Sequence, residues 1–585
     1  MRAAMRRHQV DACMVPSADP HLSEYLPARW QGREWLTNFT GSVGTFIITE
    51  DFAGVWTDGR YWTQAETELA GSGVQLMKIS SGASVQYVDW LAQRLQPGQV
   101  LAVDGAVLGL SIARLLEARG IAMRTDLDLL SEVWTDRPLL PDAPVYEHAR
   151  PYADKTRAAK LAALRAEMAR HGATHHFIST LDDIAYLFNL RGSDVQYNPV
   201  FLSHALIDHD RAMLFVSAGK IDPGLAGLLA ADNVFVEPYE EAALALNAIP
   251  ADSSLLLDPR RMTYGMRRVV PQGVKVIEAV NPTTFAKSRK TEHEADYVRA
   301  TMEQDGAALC EFFSWLEQTL ADTARPPLTE FDIGQYLLQA RRRRQGFVSP
   351  SFGTIAGFNA NGAIMHYRAP AQGSAVVQGD GLLLIDSGGQ YTGGTTDITR
   401  VVPVGSITQA HKRDFTLVLK GMIALSVAHF PRGVKSPMLD AIARAPLWAA
   451  GIDFGHGTGH GVGFFLNVHE GPQSISPSTP PDAHTAMEPG MITSNEPGIY
   501  RPGKWGIRIE NLVLNVPAAD SEFGEFLRFE TLTLCPIDTR CIDRSLLRED
   551  ELRWLNDYHA TVRQRLRKHV EGDALRWLEE RTEAI

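Results

Sequence analysis

Residues Leu382–Val402 read LLLIDSGGQYTGGTTDITRVV. The opening LLLI and the closing ITRVV are short apolar runs, and each reads as a strand. Asp386 ends the first run and Asp397 opens the second, with the glycine pairs Gly388-Gly389 and Gly393-Gly394 between them. Glycine permits tight reversals, so the segment is expected to fold back as a hairpin that sets two carboxylates side by side. Two unpaired buried aspartates repel each other and are costly to desolvate, and a cation between them is the natural remedy. Taken alone, the pair also fits ordinary turn chemistry.

Two further carboxylates lie downstream. Glu496 follows the strand-like MITSN, and Pro497-Gly498 ends that run. Glu510 stands in GIRIENLVLNV, which reads as one strand, with Arg508 and Glu510 on one face and Ile507, Ile509 and Asn511 on the other. A charge in such a strand needs a partner, and Arg508 is a simple one. Between these blocks lies FGHGTGHGVG, Phe454–Gly463, with glycine at every second position from Gly455. His456 and His460 are four apart, yet the alternating glycines exclude a regular helix and no Glu follows His456, so a zincin-like pair is not expected. The absence of GxxxxGK[ST] removes the phosphate-loop reading. Asp386, Asp397, Glu496, Glu510 and one histidine together form a candidate two-metal site. Its carboxylate-rich character fits divalent manganese, cobalt, zinc or iron, and affinity order alone does not choose among them. Two cations held by bridging carboxylates are equipment for hydrolysis.

The 585-residue chain carries a net charge of -12, which argues against a broad nucleic-acid-binding face. The dense basic run Arg341–Arg344 follows a helix-like segment and reads as a solvated C-terminal turn. Cys13, Cys310, Cys535 and Cys541 have no ligand spacing and read as free thiols. The N-terminal MRAAMRRHQVDACMVPSADP has no sustained apolar run, and nothing reaches the ~18 apolar residues of a membrane span, so a cytoplasmic protein without membrane contact is expected.

Strand-like and helix-like pieces alternate from DACMVP through GTFIITE, GASVQYVDWLAQRLQ and QVLAVDG, and the grammar restarts after a proline-rich stretch near residues 135–152. A third segment opens with Thr291 and Glu294 at capping-box spacing and mixes long helices with short strands. The expected domains are 1–140, 141–286 and 287–585. The C-terminal tail reads as helical and surface-packed, and no internal repeat is apparent in the sequence.

NGAIMHY, LLLIDSGGQYxxGTTDITR, GHGTGHGVGxxLNVHEGP, SNEPGIY and GIRIEN occur in the order found in the creatinase/aminopeptidase "pita-bread" superfamily. Upstream, PSADPHLSEYLPAR, FTGSVGTFIIT, WTDGRYW and FNLRGSDVQYNPVF resemble the N-terminal half of its long, three-domain Xaa-Pro aminopeptidases, and CPIDTR resembles their C-terminal region. The resemblance covers essentially the whole chain. It implies a mixed α/β and α+β architecture, with two creatinase-like α/β domains followed by a pita-bread catalytic domain.

It also implies a dinuclear enzyme that hydrolyses the N-terminal Xaa-Pro bond by attack of a metal-bridging hydroxide. Asp386 would bind one metal, Asp397 and Glu510 would bridge both, and His460 and Glu496 would complete the ligand set of the second metal, with Glu496 assisting proton transfer. His366, His456 and His469 match non-ligand histidines that position substrate and serve catalysis, and Tyr500 and Arg508 match residues beside the metals. Manganese is the ion taken forward, with zinc or cobalt as alternatives. A homodimer acting on peptides with proline second is the expected assembly and substrate.

Phe464 could line a proline pocket or belong to the core. Trp56, Asp58, Gly59, Arg60 and Tyr61 could help the first domain close over a cleft, or be a turn with packed aromatics. An Xaa-Pro dipeptidase would use the same ligands, and a non-catalytic peptide-binding protein is the reading from another class.

Overall fold

The hairpin forms as expected. Strands β17 (Gly381–Ser387) and β20 (Ile398–Val404) pair antiparallel with Asp386 opposite Thr399. Every residue of β17 is buried, because its apolar run has core on both faces. The computed structural model describes residues 1–80, 84–322, 324 and 326–585. Gly82 and Ala83, the start of the helix expected over GASVQYVDWLAQRLQ, lie outside the described residues; the helix itself runs Gln86–Arg94.

The chain divides into two compact units, Met1–Thr284 and Phe285–Ile585. The first holds two six-stranded sheets. One contains β1 (Ala12–Pro16), β2 (Thr45–Thr49), β3 (Ala53–Asp58), β4 (Gln75–Ile79), β5 (Val100–Ala102) and β6 (Ala122–Arg124), ordered β4-β3-β2-β1-β5-β6. After the short β7 (Tyr146–Glu147), which pairs with β9 (Leu190–Arg191), the other is built from β8 (His175–Ile178), β10 (Ser203–Ile207), β11 (Ala212–Val216), β12 (Val234–Pro238), β13 (Ser254–Leu257) and β14 (Lys275–Glu278). Its order is β12-β11-β10-β8-β13-β14.

The two sheets have one topology. In each, the first strand pairs antiparallel with the second and parallel with the fifth; the second and third are antiparallel, and the third and fourth parallel. The sequence shows no repeat, yet the fold repeats, because hydrophobic pattern and crossover geometry specify such a module without specifying residue identities.

In the second unit the three-stranded sheet of β16 (Ile355–Phe358), β17 and β20 carries the hairpin. Inside the hairpin loop, β18 (Gly389–Tyr391) pairs with β19 (Gly394–Thr395) and with β15 (Phe347–Pro350). A six-stranded sheet, β21-β28-β27-β24-β22-β23, is formed by β21 (His429–Pro431), β22 (Gly459–Gly461), β23 (Glu470–Ile475), β24 (Ile492–Asn495), β27 (Asn511–Pro517) and β28 (Phe526–Thr531). The pair β25 (Gly498–Arg501) and β26 (Trp505–Arg508) lies between β24 and β27 in sequence.

The helix Glu292–Ala321 begins with the expected capping box, in which the Thr291 hydroxyl and the Glu294 carboxylate satisfy each other's backbone N–H groups. Its apolar stripe joins a core shared by both ends of the unit. The tail helices Glu549–Leu566 and Gly572–Arg581 are part of that core, since Leu555, Val562, Leu566 and Leu578 are fully buried; the surface-packed expectation is corrected. Phe464 is also a core residue.

The basic run likewise divides. Arg342 and Arg343 are exposed, whereas Arg341 is 2% exposed and makes a two-nitrogen pair with Asp305 (2.8 and 3.2 Å), which also accepts from Tyr391 Oη. Arg341 continues the buried stripe Ile333–Leu337 at four-residue spacing, which puts it on the inner face of the helix Glu330–Arg342. All four cysteines are buried and free, as expected.

Candidate metal centre

The glycines around Asp386 and Asp397 serve close packing more than turning. A Cβ on Gly388 would stand 2.0 Å from the Thr396 carbonyl oxygen and 2.1 Å from Ser351 Oγ. In FGHGTGHGVG the same holds: a Cβ on Gly459 would lie 1.8 Å from the Ser494 carbonyl oxygen, and one on Gly461 would lie 2.1 Å from that of Glu470. Strand β22 is thereby squeezed between β23 and β24, with His460 at its centre.

His460 Nδ1 donates to the Gly461 carbonyl at 3.0 Å, which turns Nε2 towards the carboxylates as the nitrogen that a cation would take. Nε2 lies 3.5 Å from Asp397 Oδ2 and 3.4 Å from Glu496 Oε1. Donor atoms of Asp397, His460 and Glu510 fall within 4.8 Å of one another. Ser494 Oγ donates to Glu496 Oε1 and accepts the His460 backbone N–H.

Glu510 does not sit in mid-strand. It occupies the break between β26 and β27, where the alternation expected over GIRIENLVLNV fails, and its N–H donates to the Thr399 carbonyl. Glu510 Oε2 accepts from Thr399 Oγ1 at 2.7 Å. Arg508 is not its partner: Arg508 Nη2 pairs with Asp386 Oδ2 at 2.5 Å, across 122 residues of chain.

Asp386 Oδ1 and Glu510 Oε1 are buried without a hydrogen-bond partner. Burial and neighbouring carboxylates raise the pKa of both residues, with Arg508 opposing the rise at Asp386. Burial likewise pushes Glu496 up to about 7. Burial disfavours charge on His460, yet Asp397 and Glu496 outweigh it and lift its pKa to about 9. Asp386, Glu496 and Glu510, crowded round one guanidinium, thus recruit protons when nothing else supplies positive charge. An oxygen-rich set with one imidazole and orphaned carboxylate oxygens fits divalent cations of the harder and borderline kind.

A hydrogen-bonded chain leaves the carboxylates on one side. Arg508 Nη1 donates to Tyr500 Oη at 2.6 Å, and Tyr500 Oη meets His456 Nε2 at 2.8 Å. His456 Nδ1 donates to the Gly457 carbonyl at 2.7 Å, which fixes the ring with Nε2 towards Tyr500. Burial pushes the Tyr500 phenol up to about 12. The exposed His469 ring stands edge-on to His460, with centroids 4.3 Å apart.

His366 is half-buried just beyond the short helix Asn359–Ala363, whose Gly362 packs against Gly506 of β26. Thr399 and Ser494, which orient Glu510 and Glu496, escaped the sequence reading. Their signal was position alone, two residues after Asp397 and two before Glu496.

The pattern of the metallopeptidase family M24 matches residues 296–516, with creatinase/prolidase N-terminal domains matching 1–133 and 136–294 and the C-terminal region of peptidase M24 matching 525–585. The probable Xaa-Pro aminopeptidase P of Botryotinia fuckeliana is 38% identical over 605 residues, covering 100% of this chain and 92% of that protein. The chain belongs to metallopeptidase family M24. This M24 member is therefore a hydrolase, with a pita-bread domain preceded by creatinase-type domains.

The Ajellomyces capsulatus protein of the same name is 37% identical, covering 100% of this chain and 98% of its own. Among solved M24 structures, the X-prolyl aminopeptidase of Caenorhabditis elegans, a cytosolic enzyme with a di-nuclear active site, superposes with a TM-score of 0.93 at 33% identity. That match covers 98% of this chain and 95% of the other. The Xaa-Pro dipeptidase of Bacillus anthracis, at 21% identity, TM-score 0.50 and 66% and 99% coverage, shares the fold.

Proposed function

We propose that this M24 hydrolase is a dinuclear Xaa-Pro aminopeptidase that removes the first residue from peptides with proline second. The observation carrying this reading is the convergence of Asp386, Asp397, His460, Glu496 and Glu510 with two buried carboxylate oxygens unpartnered. Full-length similarity to proteins named Xaa-Pro aminopeptidase supports it. Asp386, Asp397 and Glu510 would hold one cation, and Asp397, Glu510, His460 and Glu496 the other; manganese is the first candidate, then zinc or cobalt. Bound there, the cations would polarise the scissile carbonyl and lower the pKa of water.

The remaining chemistry belongs to the chain. Glu496, fixed through Oε1 by Ser494, takes a proton from the attacking water and returns it to the leaving nitrogen. His456, held against Tyr500, and His469 at the exposed edge supply imidazole edges to orient the peptide, with His366. Arg508 pairs with Asp386, opposing its protonation, and holds Tyr500 in place. The Xaa-Pro nitrogen has no hydrogen to offer, so recognition falls on these groups and on the shape around the proline ring. We assign residues 1–140 and 141–286 to the two creatinase-type domains and 287–585 to the catalytic domain. A cytoplasmic homodimer is the proposed working form.

Metal analysis with a cleavage panel tests the function. Manganese-loaded protein is expected to cleave Xaa-Pro-Xaa tripeptides, and Asp397→Ala to lose both metal and activity. Cleavage confined to Xaa-Pro dipeptides would make it a dipeptidase. A metal-binding protein that cleaves neither would be a peptide binder.

A further inference from the structure

The segment Asp453–Thr458, which carries His456, has no helix or strand and includes Gly455 and Gly457. Fixing such a backbone costs conformational entropy, so a defined His456 ring requires something to hold the loop. Arg444, in the helix Asp440–Trp448, meets that need.

Its guanidinium is 2% exposed and spends its donors on this loop. Nη2 donates to the His456 carbonyl at 2.5 Å, and Nη1 donates to the Phe454 carbonyl and to Asp453 Oδ1, both at 2.7 Å. Nε pairs with buried Asp440 Oδ2 at 2.5 Å, and the guanidinium lies 3.8 Å over the Phe454 ring. Asp440 Oδ1 in turn accepts from Thr458 Oγ1 at 2.7 Å and from the Thr458 N–H at 3.3 Å. The Arg444–Asp440 pair therefore grips the loop at both ends. The Phe454 ring lies 4.9 Å from the His456 ring, which is also 5.4 Å from the Tyr500 ring.

We infer that Arg444 is a positioning residue for substrate turnover, acting through the backbone and ring of His456. The inference rests on the substrate-side role proposed above for His456. A lysine at 444 keeps the charge beside Asp440 but cannot reach three loop acceptors with a planar fork. Arg444 touches none of the candidate metal ligands, so its effect is expected in turnover and not in metal binding.

The test is a double-mutant cycle read by kcat and KM on Ala-Pro-Ala with saturating manganese, together with a manganese binding isotherm. Arg444→Lys is expected to lower kcat/KM by about 10–100-fold, the scale of a small misplacement, with the isotherm unchanged. In a His456→Ala background the same substitution is expected to cost nothing further, an outcome that a general loss of structure would not give. If Arg444→Lys cannot be purified, Thr458→Val releases the other end of the loop and carries the same cycle. Wild-type kcat/KM in the loop variant, or losses that multiply independently in the His456→Ala background, would overturn the inference alone. Wild-type turnover by His456→Ala would overturn it together with the role given to His456. If the wild-type protein cleaves nothing, the functional reading fails with it.

Discussion

Thr399 contributes two hydrogen bonds to the candidate centre. Its hydroxyl donates to Glu510 Oε2 at 2.7 Å and accepts from Arg508 Nε at 3.2 Å, so it aligns a carboxylate and the guanidinium that faces Asp386. Thr399→Val keeps the shape and removes both contacts. Manganese affinity is expected to fall by about 10-fold or more, as for other groups that orient metal ligands, with little change in thermal midpoint; an isotherm and a melting curve separate the two. Gly459 makes the opposite kind of contribution, by having no side chain. A Cβ 1.8 Å from the Ser494 carbonyl oxygen would push β22 from β24, parting His460 from Glu496. Gly459→Ala is expected to destabilise by about 2 kcal/mol or more through overpacking and to weaken metal binding as well. A variant with wild-type melting and wild-type metal affinity would show that β22 and β24 can separate freely. At this scale the four candidate carboxylates stood out in the sequence, because Asp386, Asp397, Glu496 and Glu510 are charges set among apolar runs. Their partners were not. Nothing local in GIRIEN says that Arg508 will meet Asp386 and leave Glu510 to Thr399, since those contacts are made by the tertiary fold.

At the scale of elements, two strands that frame the centre are tied to the start of the catalytic unit by one buried ion pair. Lys290 Nζ donates to Glu470 Oε1 and to the Val462 carbonyl, both at 2.6 Å, which links the lead-in to the helix Glu292–Ala321 with β23 and the end of β22. Lys287 Nζ is 3.8 Å from Glu470 Oε2 and offers only a looser contact. Burial lowers the Lys290 pKa against the pull of Glu470, so the pair is best regarded as a locating device with modest net stabilisation. Lys290→Met leaves buried Glu470 with only the looser Lys287 contact and is expected to cost about 3 kcal/mol, while Lys290→Met with Glu470→Gln recovers part of that loss. Denaturant unfolding of the four proteins of the cycle measures the coupling, and additive losses would mean the two side chains act separately. Hairpin β17–β20 and the capping box at Thr291 were readable because each is encoded within a few consecutive residues. Arg341 was readable too, had its register with Ile333 and Leu337 been followed through the run of like charges. The shared topology of the two N-terminal sheets had no such local mark.

Over the whole molecule, the two compact units each bury a histidine whose charged form burial disfavours, and this contributes to how the protein responds to acid. In the first unit His176 Nδ1 donates to the Leu256 carbonyl, while Nε2 is buried without a partner. In the second unit His559 Nε2 accepts the Ile537 N–H, and Nδ1 is buried without a partner. Burial lowers both to about 4 from an ordinary value near 6.5. A histidine depressed in this way stabilises the fold fully above the unfolded pKa, and the contribution is lost as pH falls from about 6.5 towards 4. The unfolded chain binds the proton in that window and the folded chain does not. Each histidine can thus remove up to about 3 kcal/mol by pH 4, at about 1.4 kcal/mol per pH unit. Because the two lie in different units, each unit is expected to weaken on its own account. Urea unfolding of the metal-free protein from pH 7.5 to 4.5 is expected to show falling midpoints, and His559→Gln, which can still accept from Ile537, to flatten the fall for the second unit only. A variant whose midpoint drops as steeply as the parent's would assign the acid sensitivity elsewhere, to the carboxylates of the centre or to the ion pairs that surround it.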